Sequence, residues 1–207
     1  MDEIQIVERD KQIIRELDRW RVCQGRHIKH LVGFSGQRAC DRRLRKLIEA
    51  GYIKREKILY GVAGIYSNTS KAKKIVENIS TNQKIRVEQI HHDIAVLDTA
   101  NYINQKNGTA YSQMHTEIEL HRRDGFGLRK HRPDFVITAG DKTICVEVEL
   151  SLKSKDRFLT NIHNNFLEYD IQIWVVPDLN SKIADFLKEN ISPFPNIKII
   201  PLQEVQN

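Results

Sequence analysis

Three carboxylates stand at a spacing that suits metal chemistry. Asp134 follows Arg132-Pro133 and opens the apolar run Phe135-Val136-Ile137. Glu147 and Glu149 alternate with valines in TICVEVEL, residues 143–150. Side chains alternate across a strand, so both glutamates share one face and Val146 and Val148 take the other. Ala139-Gly140-Asp141-Lys142 reads as the turn between two strands. Closing it at Gly140-Asp141 pairs Thr138 with Thr143 and sets Asp134 opposite Glu147. Carboxylates opposed across a ladder repel. With Glu149 two residues along, the three form an oxygen-only ligand set for Mg²⁺ or Mn²⁺. Such an ion holds a scissile phosphate and stabilises the charge that develops on cleavage. The blander alternative is a polar face on an edge strand, with Asp134 a turn residue after proline.

Other residues compete for a place in this chemistry. Lys153 and Lys155 lie just downstream of the glutamates. His91-His92-Asp93 begins the helix before the sheet, and two surface histidines near a helix start are its plain reading. Glu117 and Glu119 read as surface charge. Cys23, Cys40 and Cys145 are odd in number and lack a C-x-x-C pair, so they read as reduced thiols without a zinc site.

The elements around the carboxylates follow an α/β order. A helix is expected over 87–105, with Ile90, Ile94, Leu97 and Tyr102 inward. Residues 112–122 are ambiguous between helix and strand. Then come strands over 134–138 and 143–150, a helix over 155–169, a strand over 171–176, a helix over 181–190 and a strand over 197–201. The tail PLQEVQN shows no terminal element, as a truncated chain would.

The first third has a different character. Residues 1–78 hold 18 Lys and Arg against 10 Asp and Glu, a balance of +8, while residues 79–207 hold 15 against 17, a balance of −2. This asymmetry points the N-terminal part at a polyanion. A helix over 9–21 buries Ile13, Ile14, Leu17 and Trp20. A second over 25–32 buries Ile28, Leu31 and Val32. Ser35 is placed to cap a third over 36–50, which Gly51 stops. That third helix buries Cys40, Leu44, Leu47 and Ile48, and turns Gln37, Arg38, Asp41, Arg42 and Arg45 outward. Arginine binds guanine edges and glutamine binds adenine edges in the major groove. Gln37, Arg38 and Arg42 are therefore assigned to bases, and Arg43 and Arg45 to phosphates. Short strands are expected at 52–55, 58–60 and 65–67, and a helix at 71–78. The phrase RRLRKLIEAGYIKRE reads as a winged helix: recognition helix, glycine, first wing strand.

The segment RPDFVITAGDKTICVEVELSLKS resembles the PD-(D/E)xK motif of restriction-endonuclease-like nucleases, with Glu149 where most members carry lysine. A winged helix followed by this variant motif resembles the replication-relaxation family, and within it the MOBC class of plasmid relaxases. The resemblance implies a metal-dependent nick in one strand at a plasmid origin of transfer. It implies Asp134, Glu147 and Glu149 as catalytic metal ligands, with Lys153 or Lys155 substituting for the motif lysine. Related nuclease domains bring an acidic residue from the helix before the sheet to the metal, which makes His92 or Asp93 a candidate ligand, base or nucleophile. Other relaxases attach DNA to a tyrosine, and no spacing singles out Tyr102 or Tyr111 for that role. It also implies a coupling protein and accessory relaxosome proteins as partners. The absence of H-x-H fits, since the histidine triad of the other large relaxase class is not needed.

The fold class expected is α+β. Residues 1–78 form a winged helix-turn-helix, 79–86 a linker and 87–207 a nuclease-like domain with a mixed sheet flanked by helices. No apolar run approaches the roughly 18 residues of a membrane span, and MDEIQIVERD is no signal peptide, so a cytoplasmic protein is expected. The function expected is a plasmid mobilisation relaxase. Its attacking group is water or a side chain. The alternatives are a non-catalytic DNA-binding replication or transcription regulator, and a site-specific endonuclease.

Overall fold

The computed structural model describes residues 4–79, 85–125, 130–151 and 154–206. The chain divides into two compact units, 1–97 and 98–207. The division falls inside a helix, later than the polar 79–86 segment. The reason is packing: Ile90 and Ile94 form a core cluster with Val22 and Ile65 of the first unit.

The first unit begins with α1 (Glu8–Arg19), whose Ile13, Ile14 and Leu17 are buried, as is Trp20 at its end. β1 (Cys23–Gln24) leads into α2 (Gly25–Leu31), and α3 spans Gln37–Glu49. Cys40, Leu44 and Leu47 make the buried stripe of α3, while Ile48 is half-buried. Ser35 does not cap this helix; Gly36 occupies the cap position, with no side-chain hydrogen bond. Gly51, at φ 76°, ends it. Its amide donates to Ile48 O (2.8 Å) and that of Tyr52 to Leu47 O (2.9 Å), which satisfies two terminal carbonyls.

β2 (Ile53–Glu56) and β3 (Ile65–Asn68) form an antiparallel hairpin, and β1 pairs with β3, giving the order β1-β3-β2. Ile58-Leu59-Tyr60, expected as a strand, lies in the hairpin loop. The helix expected over 71–78 is only a 3₁₀ turn at Ser70–Lys74.

α4 (Ile90–Asn107) follows a 3₁₀ turn at Val87–Gln89. Residues 93–101 of α4 are buried all round, so it lacks the single inward stripe expected. The ambiguous 112–122 region is both things in turn: β4 (Met114–Thr116), then α5 (Glu117–Asp124). β5 (Phe135–Ala139) and β6 (Lys142–Val148) are the hairpin, closed at Gly140-Asp141 with Gly140 at φ 65°. Next come α6 (Lys155–Glu168), β7 (Ile171–Val176), α7 (Lys182–Asn190), β8 (Ile197–Pro201) and a short α8 (Leu202–Val205), in the tail that showed no element.

The second sheet is mixed, in the order β4-β5-β6-β7-β8. β4, β5 and β6 are antiparallel neighbours, while β6, β7 and β8 run parallel. The parallel pairs need crossovers, which α6 and α7 supply. Phe158 and Ile162 of α6, Trp174 and Val176 of β7, and Ile183 and Leu187 of α7 form one core cluster. The molecule is thus α+β. Among the described residues, no helix is long and apolar enough to cross a membrane.

Candidate functional site

β6 is the central strand of five, not an edge strand. Cys145, Val146, Glu147 and Val148 are all buried, so both faces of the strand are covered. The register pairs Thr138 with Thr143 and Phe135 with Val146. One step further, β5 has ended, and Asp134 uses its side chain instead: Oδ2 accepts the Val148 amide at 2.7 Å. Asp134 and Glu147 are thereby brought together at the mouth of the hairpin. Glu149 stands one residue past the strand and is half-buried. Its amide donates to Val175 O (2.9 Å) and its Oε1 accepts the Ser151 amide (3.4 Å).

Glu147 is 7% exposed, so it needs partners. Its Oε1 accepts from His131 Nε2 at 2.7 Å and from Asn165 Nδ2 at 2.8 Å. Its Oε2 accepts from no described residue. Burial pushes the Glu147 carboxyl above its ordinary value, and the neighbouring charge of Asp134 adds to the rise; the bonds to His131 and Asn165 oppose it. Burial works against the charged form of His131, but the bond to Glu147 and the charges of Glu147 and Asp134 outweigh it and hold His131 above its ordinary value.

Neither His131 nor Asn165 was expected. His131 precedes Arg132-Pro133-Asp134, and its polar company with the motif was the available signal. The strap before the motif is anchored by Arg132, which pairs with Asp124 at the end of α5, and by Lys130, which pairs with Glu168 (2.5 Å). Asn165 is carried by α6, where it continues the buried stripe of Phe158 and Ile162, so the helical period was the signal that separates it from Asn161 and Asn164.

Among the described residues, no group of three or more His, Cys, Asp or Glu side chains is gathered closely enough to hold a metal ion. Lys153 lies outside the described residues. Lys155 is exposed, with Nζ 5.4 Å above the Phe186 ring. Glu119 caps α5: its Oε2 accepts the Thr116 amide (2.9 Å) while Thr116 Oγ1 accepts the Glu119 amide (3.3 Å). Glu117 lies 3.6 Å from His121. His92 Nδ1 is 3.3 Å from Asp93 Oδ1, and Asp93 also pairs with Arg21 at 3.6 Å, all three within the first unit. Tyr111 donates to Asn101 (2.7 Å), and the Tyr102 hydroxyl bonds Glu204 and Lys106. All three cysteines are buried free thiols.

On α3, Gln37, Arg38, Arg42 and Arg45 are exposed. Gln37 Nε2 is hydrogen-bonded to Asp41 Oδ1 (2.7 Å). Arg43, expected at a phosphate, is turned inward. Its Nε donates to Asp10 Oδ1 (2.6 Å), and its Nη2 bonds Asp10 Oδ2 and Gln5 O (2.8 Å). Asp10 is fully buried, so it holds the guanidinium in place. No protein-family model, no curated protein and no solved structure matches this chain.

Proposed function

We propose that the chain binds DNA through a winged helix-turn-helix in its first unit and nicks one strand with a divalent metal in its second, as a plasmid mobilisation relaxase acting at an origin of transfer. The observation that carries this reading is Glu147, a buried carboxylate on the central strand beside Asp134. Burying a charge where a like charge stands near is costly unless a cation or proton relieves it.

The topology supports a nuclease-like domain. The order α4, β4, α5, β5, β6, α6, β7, with three antiparallel strands and a fourth parallel to β6, keeps the helix, strands, helix, strand succession expected of a restriction-endonuclease-like core, with α5 inserted between the first two strands. The order α1, β1, α2, α3, β2, β3 likewise supports a winged helix, with α3 as recognition helix. Arg38, Arg42 and Arg45 have no ion-pair partner among the described residues, so their charge is available to a polyanion.

Mg²⁺ needs only one or two protein carboxylates when water and substrate phosphate complete its shell. Asp134 and Glu147, with the unclaimed Oε2, fit that demand, and Glu149 is the third candidate. When bound, the ion supplies Lewis-acid stabilisation of the charge that develops on the phosphoryl group. His131 and Asn165 position Glu147 by holding its Oε1. A coupling protein and accessory relaxosome proteins are the partners this function calls for, in the cytoplasm.

The test is conversion of a supercoiled plasmid carrying the transfer origin to open circles, with Mn²⁺, Mg²⁺ or EDTA. Metal-dependent nicking lost in Glu147→Gln and Glu149→Ala is expected. Linear product would favour a site-specific endonuclease. A non-catalytic DNA-binding regulator is favoured by one observation: Glu147 Oε1 already takes two hydrogen bonds. Specific DNA binding without nicking in any metal would establish that second reading.

A further inference from the structure

A cavity of about 510 Å³ opens on the first unit, between the start of α1 and the flank of α3. Val7, Phe34 and Ala39 give it an apolar wall, and Arg9, Arg42 and Lys46 give it charge. None of these three cations forms an ion pair with a described residue. Arg43 also lines it, but its charge is matched by Asp10.

Arg9 is held with its guanidinium 4.9 Å above the centre of the Phe34 ring. That cation–π contact restrains a long side chain that is otherwise exposed. Three unmatched cations on a concave, partly apolar wall select an anion with an apolar body. Guanidinium groups favour phosphate, and a guanidinium plane stacks on nucleobases. The volume lies in the range of small-ligand pockets and exceeds what a bare phosphate fills.

We propose that this cavity binds a nucleoside phosphate, with Arg42 and Lys46 on the phosphate and the base packed on the Arg9 guanidinium that Phe34 supports. The nucleoside phosphate is a free nucleotide or one unit of a DNA strand. The second source rests on the DNA-binding reading above; the first does not.

The experiment titrates the full-length chain calorimetrically with 5′-AMP, and separately with the transfer-origin duplex across a salt series. The proteins are wild type, Arg9→Gln, Lys46→Glu and, as a marker for base contacts, Arg38→Ala. Arg9 and Lys46 are exposed, so both variants should fold, which an unchanged circular-dichroism spectrum and a cooperative melt check. For a free nucleotide, saturable AMP binding is expected, weakened at least about tenfold in Arg9→Gln and Lys46→Glu and unchanged in Arg38→Ala. For a DNA unit, AMP does not bind, and Lys46→Glu reduces the salt slope of duplex binding by about one. AMP binding that is indifferent to both variants, or no AMP binding together with an unchanged salt slope, overturns the proposal. AMP binding by a chain that binds no duplex leaves the cavity assigned and removes the DNA-binding reading instead.

Discussion

Nε2 of His131 lies 2.7 Å from Oε1 of Glu147, across 16 residues of chain, and the pair sits under α6 at the mouth of the β5–β6 hairpin. Both groups carry raised proton affinities. The ordinary values are 6.5 for histidine and 4.5 for glutamate. A folded value raised above the unfolded one contributes stability below the unfolded value and loses it as pH rises through the folded value.

The melting temperature should therefore fall as pH rises past 6.5, through the folded value of His131. Glu147→Gln removes the charge that lifts His131, so burial then dominates and the histidine titrates at lower pH. Histidine NMR against pH in both proteins checks this. A His131 that titrates identically in the variant would show that Glu147 does not lift it.

Arg43→Ala should destabilise the fold by about 3–5 kcal/mol, because it leaves the fully buried Asp10 carboxylate without its cation. Arg42→Ala and Arg45→Ala remove exposed cations and should stay within about 0.5 kcal/mol of wild type. Denaturant titration separates the two classes. Similar midpoints for Arg43→Ala and Arg42→Ala would refute the inward role.

Asp134→Asn and Asp134→Ala should differ in stability. The asparagine oxygen still accepts the Val148 amide, whereas alanine leaves that amide unpaired at a cost of about 1–3 kcal/mol. Both variants lose the negative charge. Mn²⁺ should raise the melting temperature of wild type and of neither variant. A rise of the same size in Asp134→Asn would count against Asp134 as a ligand.

The three thiols should be inert in the folded chain. Burial is the main cause that raises all of them, and Cys40 is pushed up to about 12. Iodoacetamide at pH 8 should modify none of them in native protein and all three in denaturant. Fast labelling of one thiol in native conditions would show local opening at that site.

Much of the hairpin was legible because its determinants are local. Alternation over 143–148 and a two-residue turn at Gly140-Asp141 set the pairing of Thr138 with Thr143. The hydrophobic stripes of α1 and α3 follow from the helical period in the same way. Thr116-x-x-Glu119 was a readable capping box, although its glutamate looked like surface charge. By contrast, the alternation of valine and glutamate in β6 does not say whether the strand is central or at an edge. That was settled by β7 pairing on the far side of β6.

The sequence by itself determined which residues carry charge and at what local period, and so the longer helices and strands, the basic first third and the Asp134–Glu147 juxtaposition. Only the tertiary structure decided which of those charges are committed. Arg42 and Arg43 are adjacent and identical in kind, yet one is exposed and the other is bound to an aspartate 33 residues earlier. His131 and Asn165 reach Glu147 from a loop and a helix that no periodicity relates to β6. Hydrogen bonds and ion pairs act over about 3 Å in space whatever the separation along the chain. Their partners become visible only when packing has brought distant segments together.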